Sequence, residues 1–235
     1  GPMAEGWRLD AVMPELTKRA VDWIHAQEDA TAPFFLYVPF TSPHAPIVPA
    51  RSHQGASKAG PFGDFVAQSD ATVGAVMAAL EDAGLAQNTL VIFSSDNGPE
   101  HYAYERVRKF GHRSSGPLRG LKRGVWEGGH RVPMIVRWPG VVAAGVVSDA
   151  LVGQVDLMAT IAGLLEYELP RDQAEDSFDQ MPVWLREEGS VRDFLVHNTF
   201  AKSWGIRRGK WLFLNKKGGG HTRVPDWVAA DYPAN

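Results

Sequence analysis

Apolar positions recur at helical spacing in two stretches. Leu16, Ala20, Trp23 and Ile24 stand among charged residues over 12–28, the pattern of an amphipathic helix laid on a core. Over 64–83, Val66, Val73, Val76, Met77 and Leu80 form a second stripe, with Gly84 placed to cap its C-terminus. Short β-branched or aromatic runs predict strands at Phe34–Val38, Thr89–Ser94 and Val132–Trp138, and Asp156–Leu165 reads as a further helix. Near the end, Phe194–Asn198, Trp204–Arg207 and Lys210–Leu214, the last two joined around Arg208-Gly209, predict antiparallel pairing.

Between these elements lie two long irregular segments. Residues 39–63 carry Pro39, Pro43, Pro46, Pro49 and Pro61 with Gly55, Gly60 and Gly63, and so predict a loop. Residues 98–130 are rich in Gly, Arg, His and Ser without clear periodicity, which suits a functional loop better than a linker. The expected fold class is therefore α/β. A sheet flanked by helices occupies 3–190, read as an incomplete core, and 191–235 forms a small C-terminal antiparallel hairpin region, read as truncated. Gly1-Pro2 ahead of Met3 reads as a protease scar.

At 235 residues the chain can bury a substantial core. Its 24 Lys plus Arg nearly balance 27 Asp plus Glu, so no broad field points to nucleic acid or to an acidic membrane surface. A small local ligand is the expected partner. No apolar run approaches a membrane span and no signal-peptide pattern opens the chain. The absence of cysteine removes disulfides, thiolate metal sites and cysteine nucleophiles together.

The chemistry concentrates in three places. Asp96-Asn97, in the turn after the Thr89–Ser94 strand, offers a carboxylate and an amide oxygen, hard donors suited to calcium or magnesium; Asp-Asn-Gly is equally a common turn. His44, in Thr41-Ser42-Pro43-His44-Ala45-Pro46, is an imidazole in a proline-stiffened loop, either held toward a ligand or simply in solvent. Lys122, in Leu118-Arg119-Gly120-Leu121-Lys122, can pin an anionic oxygen or be a solvated lysine. Glu127-Gly128-Gly129-His130 permits a tight backbone path, whereas His25, His53 and His221 carry no specific signal.

The order and wording of these segments carry a resemblance. Pro33-Phe34-Phe35-Leu36-Tyr37 leads into Ser42-Pro43-His44-Ala45-Pro46; Gly63-Asp64-Phe65-Val66 follows, with Asp70 and Val73-Gly74. Asn88 to Gly98 then precedes Pro117 to Lys122 and Glu127 to Pro133. Over most of residues 10–215 this resembles the type I sulfatases, the arylsulfatase branch of the alkaline phosphatase superfamily. The resemblance implies that His44 and Lys122 contact a sulfate group and that Asp96 and Asn97 ligate a divalent cation, usually calcium. A metal, a lysine and a histidine donor suit a leaving oxygen that gains negative charge as the ester is cleaved.

The resemblance also exposes a deficit. The family's nucleophile is a formylglycine made in a Cys/Ser-x-Pro-x-Arg motif of an N-terminal half, with further acidic metal ligands, and that half is missing here. Ser115-Gly116-Pro117-Leu118-Arg119 fits the bare pattern but belongs to the lysine-bearing segment and lacks the Leu-Thr-Gly that should follow, so no formylglycine is expected. Three readings follow. A retained half-site, completed across a homo-oligomer that covers the missing half, hydrolyses sulfate or phosphate esters weakly through water activated by the metal; zinc recruited by His101, His112 and His130, or magnesium, can replace calcium. A catalytically inactive product binds at most metal or anions. A structural subunit requires a separately encoded N-terminal half.

Overall fold

The computed structural model describes residues 4–187, 189–199, 202–216 and 225–226; the expectations for His221 and for Asp231–Asn235 lie outside them. The chain forms two compact units, one of residues 1–89 and 106–112, the other of 90–105 and 113–235.

The first unit is built on α1, Val12–His25, and α2, Gly60–Asp82. Met13, Ala20 and Ile24 are buried on α1, while Trp23 lies at the edge of the stripe and meets Phe34 edge-on at 5.4 Å. On α2 the buried stripe differs from the apolar one read in sequence. Asp64, Phe65, Gln68, Thr72, Ala79 and Leu80 are inside, whereas Val66 is exposed. The buried polar members are each satisfied, as burial requires. Asp64 accepts the N–H groups of Gly55 and Ser57 at 2.9 and 2.8 Å, Gln68 accepts that of Ala50 at 2.9 Å, and Thr72 meets Thr17 of α1 at 2.8 Å. The stripe therefore also pins the proline-rich loop.

Helix α2 begins at Gly60, inside the segment expected to be loop, because Pro61 occupies the first turn, where its missing N–H is no loss. It ends as expected. Gly84 has φ +69°, Leu85 N–H donates to Leu80 O at 2.8 Å and Gly84 N–H to Glu81 O at 3.0 Å, the paired bonds of a glycine C-terminal cap.

Phe34–Val38 is extended but is not a strand among the described residues, which corrects the expectation of a buried strand there. The residues alternate, with Phe35 and Tyr37 each 76% exposed and Phe34, Leu36 and Val38 half-buried. The alternation is that of a sheet strand; a ladder partner is what the segment lacks.

The second unit contains two small antiparallel sheets. β1, Val91–Ser94, pairs with β2, Met134–Arg137, in the register Val91 with Arg137 and Ser94 with Met134. β3, Leu195–Thr199, β4, Ser203–Arg208, and β5, Trp211–Leu214, form a meander in that order, with Gly209 at φ +51° in the turn. The long loop expected over 98–130 contains a helix, α3, Tyr102–Phe110, and a 3-10 turn at Glu127–Gly129. α4, Asp156–Leu164, falls where expected, and a short α5, Met181–Trp184, follows. No described helix is long and apolar enough to cross a membrane.

The core of this unit is held by a buried ion pair. Asp156 is fully buried and Arg192 is 8% exposed. One Asp156 oxygen accepts Gly153 N–H at 2.8 Å, Gln180 Nε2 at 2.9 Å and Arg192 Nε at 3.1 Å; the other accepts Phe178 N–H at 3.0 Å and the Arg192 Nη2. So many donors offset the desolvation of the carboxylate, and they tie α4 to the segment leading into β3.

Candidate functional site

In the second unit the Asp96-Asn97-Gly98-Pro99 turn leaves the end of β1. Ser94 Oγ donates to Pro133 O at 3.0 Å, and the Gln154 amide donates to Ser94 Oγ and Ser95 O at 3.1 and 2.6 Å, so the exit of the strand is fixed from two sides. Asp96 is exposed and Asn97 half-buried. The Asn97 Nδ2 donates to Gly98 O at 3.0 Å, which uses the amide's nitrogen and leaves its oxygen as a donor atom for a cation.

The turn is locked to the lysine-bearing loop through main-chain hydrogen bonds. Gly98 N–H donates to Gly129 O at 2.9 Å, Lys122 N–H to Pro99 O at 2.9 Å and Gly128 N–H to Arg119 O at 2.7 Å. Glycine is required for so close an approach. A Cβ on Gly98 would lie 1.9 Å from Gly128 O, and one on Gly128 2.1 Å from Gly120 O. Leu121 and Val125 are buried beside them, and Lys122 itself is half-buried. The Asp96-Asn97 donors and Lys122 are thus positioned by one glycine-packed joint.

The inner face of the β3–β4–β5 sheet braces that joint. His197 Nε2–H donates to Val125 O at 3.1 Å, the His197 ring lies 3.7 Å from that of His130, and Arg207 pairs with Glu127, which also meets Arg131 at 3.4 Å. His130 is held neutral. Burial, reinforced by the neighbouring His197, pushes its pKa down to about 4. Burial likewise lowers His197, against the pull of the Val125 carbonyl. The His130 Nε2 is buried without a hydrogen-bond partner among the described residues.

His44 belongs to the first unit. It is exposed, in a loop whose Ser42–Pro43 and Ala45–Pro46 bonds are both cis. Ser42 Oγ is 2.6 Å from Ser69 Oγ of α2, which itself donates to Phe65 O at 3.0 Å, so Ser42 is the donor and the loop is fastened to the helix. The His44 Nδ1–H donates to Ala45 O at 2.6 Å, which fixes the tautomer and leaves Nε2 as the ring's working nitrogen.

Ser115 takes a turn role. Its carbonyl accepts Leu118 N–H at 3.1 Å and its hydroxyl donates to Gly120 O at 3.4 Å, in the approach to Lys122. The donor chemistry at Asp96 and Asn97 fits calcium or magnesium as part of a larger set. Among the described residues no group of three or more His, Cys, Asp or Glu is gathered to complete it, so the expected recruitment of zinc by His101, His112 and His130 finds no cluster. His101 is engaged instead with Glu100 at 3.0 Å and His130 with His197. Sequence reasoning missed the brace formed by His197 and Arg207. The only local signal for it was polar residues at inward strand positions of an otherwise apolar hairpin.

The Sulfatase family model matches residues 10–167, and the chain belongs to the sulfatase family. It is 34% identical over 214 residues to the N-acetylgalactosamine-6-O-sulfatase of Bacteroides thetaiotaomicron, covering 88% of this chain and 41% of that protein. It is 38% identical over 186 residues to the steryl-sulfatase of Rattus norvegicus, covering 77% of this chain and 31% of that one. Among solved structures, a sulfatase from a Bacteroides thetaiotaomicron locus for glycosaminoglycan metabolism superposes with a TM-score of 0.80 at 33% identity, covering 88% of this chain and 44% of that chain. The crystal structure of i-CgsB in complex with k-i-k-neocarrahexaose gives 0.76 at 26% identity, with 88% and 46% covered. The chain spans less than half the length of these relatives.

Proposed function

We propose that this chain is the cation- and sulfate-binding portion of a sulfuric ester hydrolase whose substrate is a sulfated sugar. The observation that carries the reading is the main-chain lock between Lys122 N–H and Pro99 O, which couples the lysine to the Asp96-Asn97 turn. Asp96 and Asn97 supply oxygens to a divalent cation, calcium or magnesium, which when bound withdraws charge from the sulfate oxygens. Lys122 adds a compact positive charge on the same anion. The sugar reading is supported by the N-acetylgalactosamine-6-O-sulfatase match over 88% of this chain and by the TM-score of 0.80 to a sulfatase of a glycosaminoglycan locus.

No residue of the chain stands in for a nucleophile in this reading. Cysteine is absent and Ser115 braces its own turn. The nucleophile is supplied by a separate segment, and co-expression with such a segment restores turnover.

The test is calorimetric titration of N-acetylgalactosamine 6-sulfate into the purified chain with calcium present, repeated with chelator and with Asp96→Ala and Lys122→Ala. Binding is expected to need calcium and to weaken roughly tenfold in each variant. Equal binding by Asp96→Ala, or binding indifferent to chelator, would sink the reading.

A second reading is favoured by Phe35 and Tyr37, each 76% exposed on an extended segment without a ladder partner. Such an edge recruits another strand, and a second copy of the chain provides one in a homo-oligomer. Sedimentation of a single monomeric species over a wide concentration range counts against it.

A further inference from the structure

The β3–β4–β5 sheet has two unlike faces. His197 and Arg207 look inward onto the Val125–His130 loop. The outward positions are Phe194, Val196, Trp204, Ile206, Trp211 and Phe213, exposed by 51, 43, 47, 40, 72 and 66%. Register arranges them in rows across the strands. Val196, Ile206 and Phe213 form the middle row, Arg208 stands opposite Trp211 in a second, and Trp204 stands opposite Asn198 in a third. At strand spacings Trp211 and Trp204 are about 14 Å apart with Phe213 along the way, a track rather than a spot. The exposed apolar area is about 600 Å², at the top of the range for the largest patch on a free-standing protein.

The rim decides what this face receives. Arg208 is exposed in the same row as Trp211, Lys210 places its ammonium 5.4 Å from the Trp211 ring centroid, and exposed Lys202 precedes Trp204 by two residues. None of the outward strand residues is acidic. A second copy of the chain packed about a two-fold axis through this face would set Arg208 and Lys210 against cations of their own kind, which disfavours self-association here. A chain of sugar rings carrying sulfates satisfies both features. The C–H faces of pyranose rings lie on Trp and Phe, and a guanidinium donates two parallel N–H groups to the oxygens of a sulfate edge.

We propose that the outward face of the β3–β4–β5 sheet is a second binding surface, which holds a sulfated polysaccharide along the Trp211–Phe213–Trp204 track with Arg208 and Lys210 on its anionic groups. The ligand class rests on the reading of the Asp96–Lys122 site as one for a sulfated sugar; the surface itself uses none of that site's residues. It retains a long chain near the site while single residues are processed.

The test is affinity electrophoresis of the full chain through gels containing chondroitin 6-sulfate or its desulfated form, with Trp211→Ala, Arg208→Ala and Asp96→Ala run beside it. Thermal melting reports that each variant is folded; both surface residues are exposed, so their melting is expected to match the parent. The sulfated polymer is expected to retard the chain, less so as salt is raised. Affinity falls roughly tenfold in Trp211→Ala and in Arg208→Ala, and retardation of the parent chain persists with chelator present, which silences the calcium site. Three results overturn the proposal: no retardation, equal retardation by the desulfated polymer, or unchanged retardation of both surface variants. Sedimentation showing a dimer that Trp211→Ala converts to monomer also overturns it, in favour of a second copy. Loss of polymer binding in Asp96→Ala alone places binding at the calcium site and overturns this surface while leaving the first reading intact.

Discussion

The backbone N–H of Lys122 donates to the carbonyl of Pro99 at 2.9 Å, so the lysine and the Asp96-Asn97 turn move as one piece. Both sequence segments look like ordinary loops in isolation. What joins them is the tight glycine contact between their backbones, and the first prediction tests that contact.

Gly128→Ala places a methyl group 2.1 Å from Gly120 O, a backbone atom that cannot step aside. We expect a loss of about 3 kcal/mol in urea-induced unfolding. Gly74→Ala, at a helical glycine with open space around it, serves as the control and is expected to be neutral or slightly stabilising.

Asp156→Ala leaves Arg192 buried without its carboxylate and removes the acceptor of Gly153, Phe178 and Gln180. A loss of about 3–5 kcal/mol is expected by the same measurement. Asp156→Ala with Arg192→Met is expected to recover part of it, since an uncompensated buried charge costs more than none.

Acid weakens the second unit through His130. Its folded pKa, about 4, lies below the ordinary 6.5, so the unfolded chain binds the proton more readily. The contribution is present above pH 6.5 and is lost as pH falls through the window from 6.5 to about 4, levelling off below. His197 shifts in the same direction. Chemical-denaturation stability measured from pH 7.5 to 4 is expected to fall less steeply in His130→Gln than in the parent.

Arg207→Ala removes a brace from Glu127 while Arg131 remains. Because the pair is partly solvated, the expected cost is small, about 1 kcal/mol. Its readout is local. Exchange of the Gly128 and Gly129 amides is expected to quicken about fivefold, while that of the α2 amides is unchanged.

Sequence pattern alone located α1, α4, β1 and β2 as separate strands, the C-terminal antiparallel pairing and the cap at Gly84, because periodicity, β-branched runs and glycine conformation are local properties. It placed the start of α2 too late by reading Pro61 as loop, although proline suits a first turn. It missed α3, where Glu105, Arg106, Arg108 and Lys109 crowd a short helix that buries Ala103 and Arg106. At Phe34–Val38 the extended conformation was legible and the missing ladder was not, since pairing depends on distant residues. The candidate residues divide in the same way. Asp96, Asn97, Lys122 and His44 stand in recognisable local wording, whereas the support from Arg207 and His197 arises only when a distant hairpin packs on the loop.

At Gly98, Gly128 and Gly129 the joint is backbone meeting backbone. Substitutions at neighbouring outward residues such as Arg123, which pairs with Glu100, can therefore reshape the surface around the joint without displacing the backbone that forms it. A scaffold of this kind separates tolerance from constraint residue by residue: side chains on the rim are free to change, and the glycine seat beneath them is not.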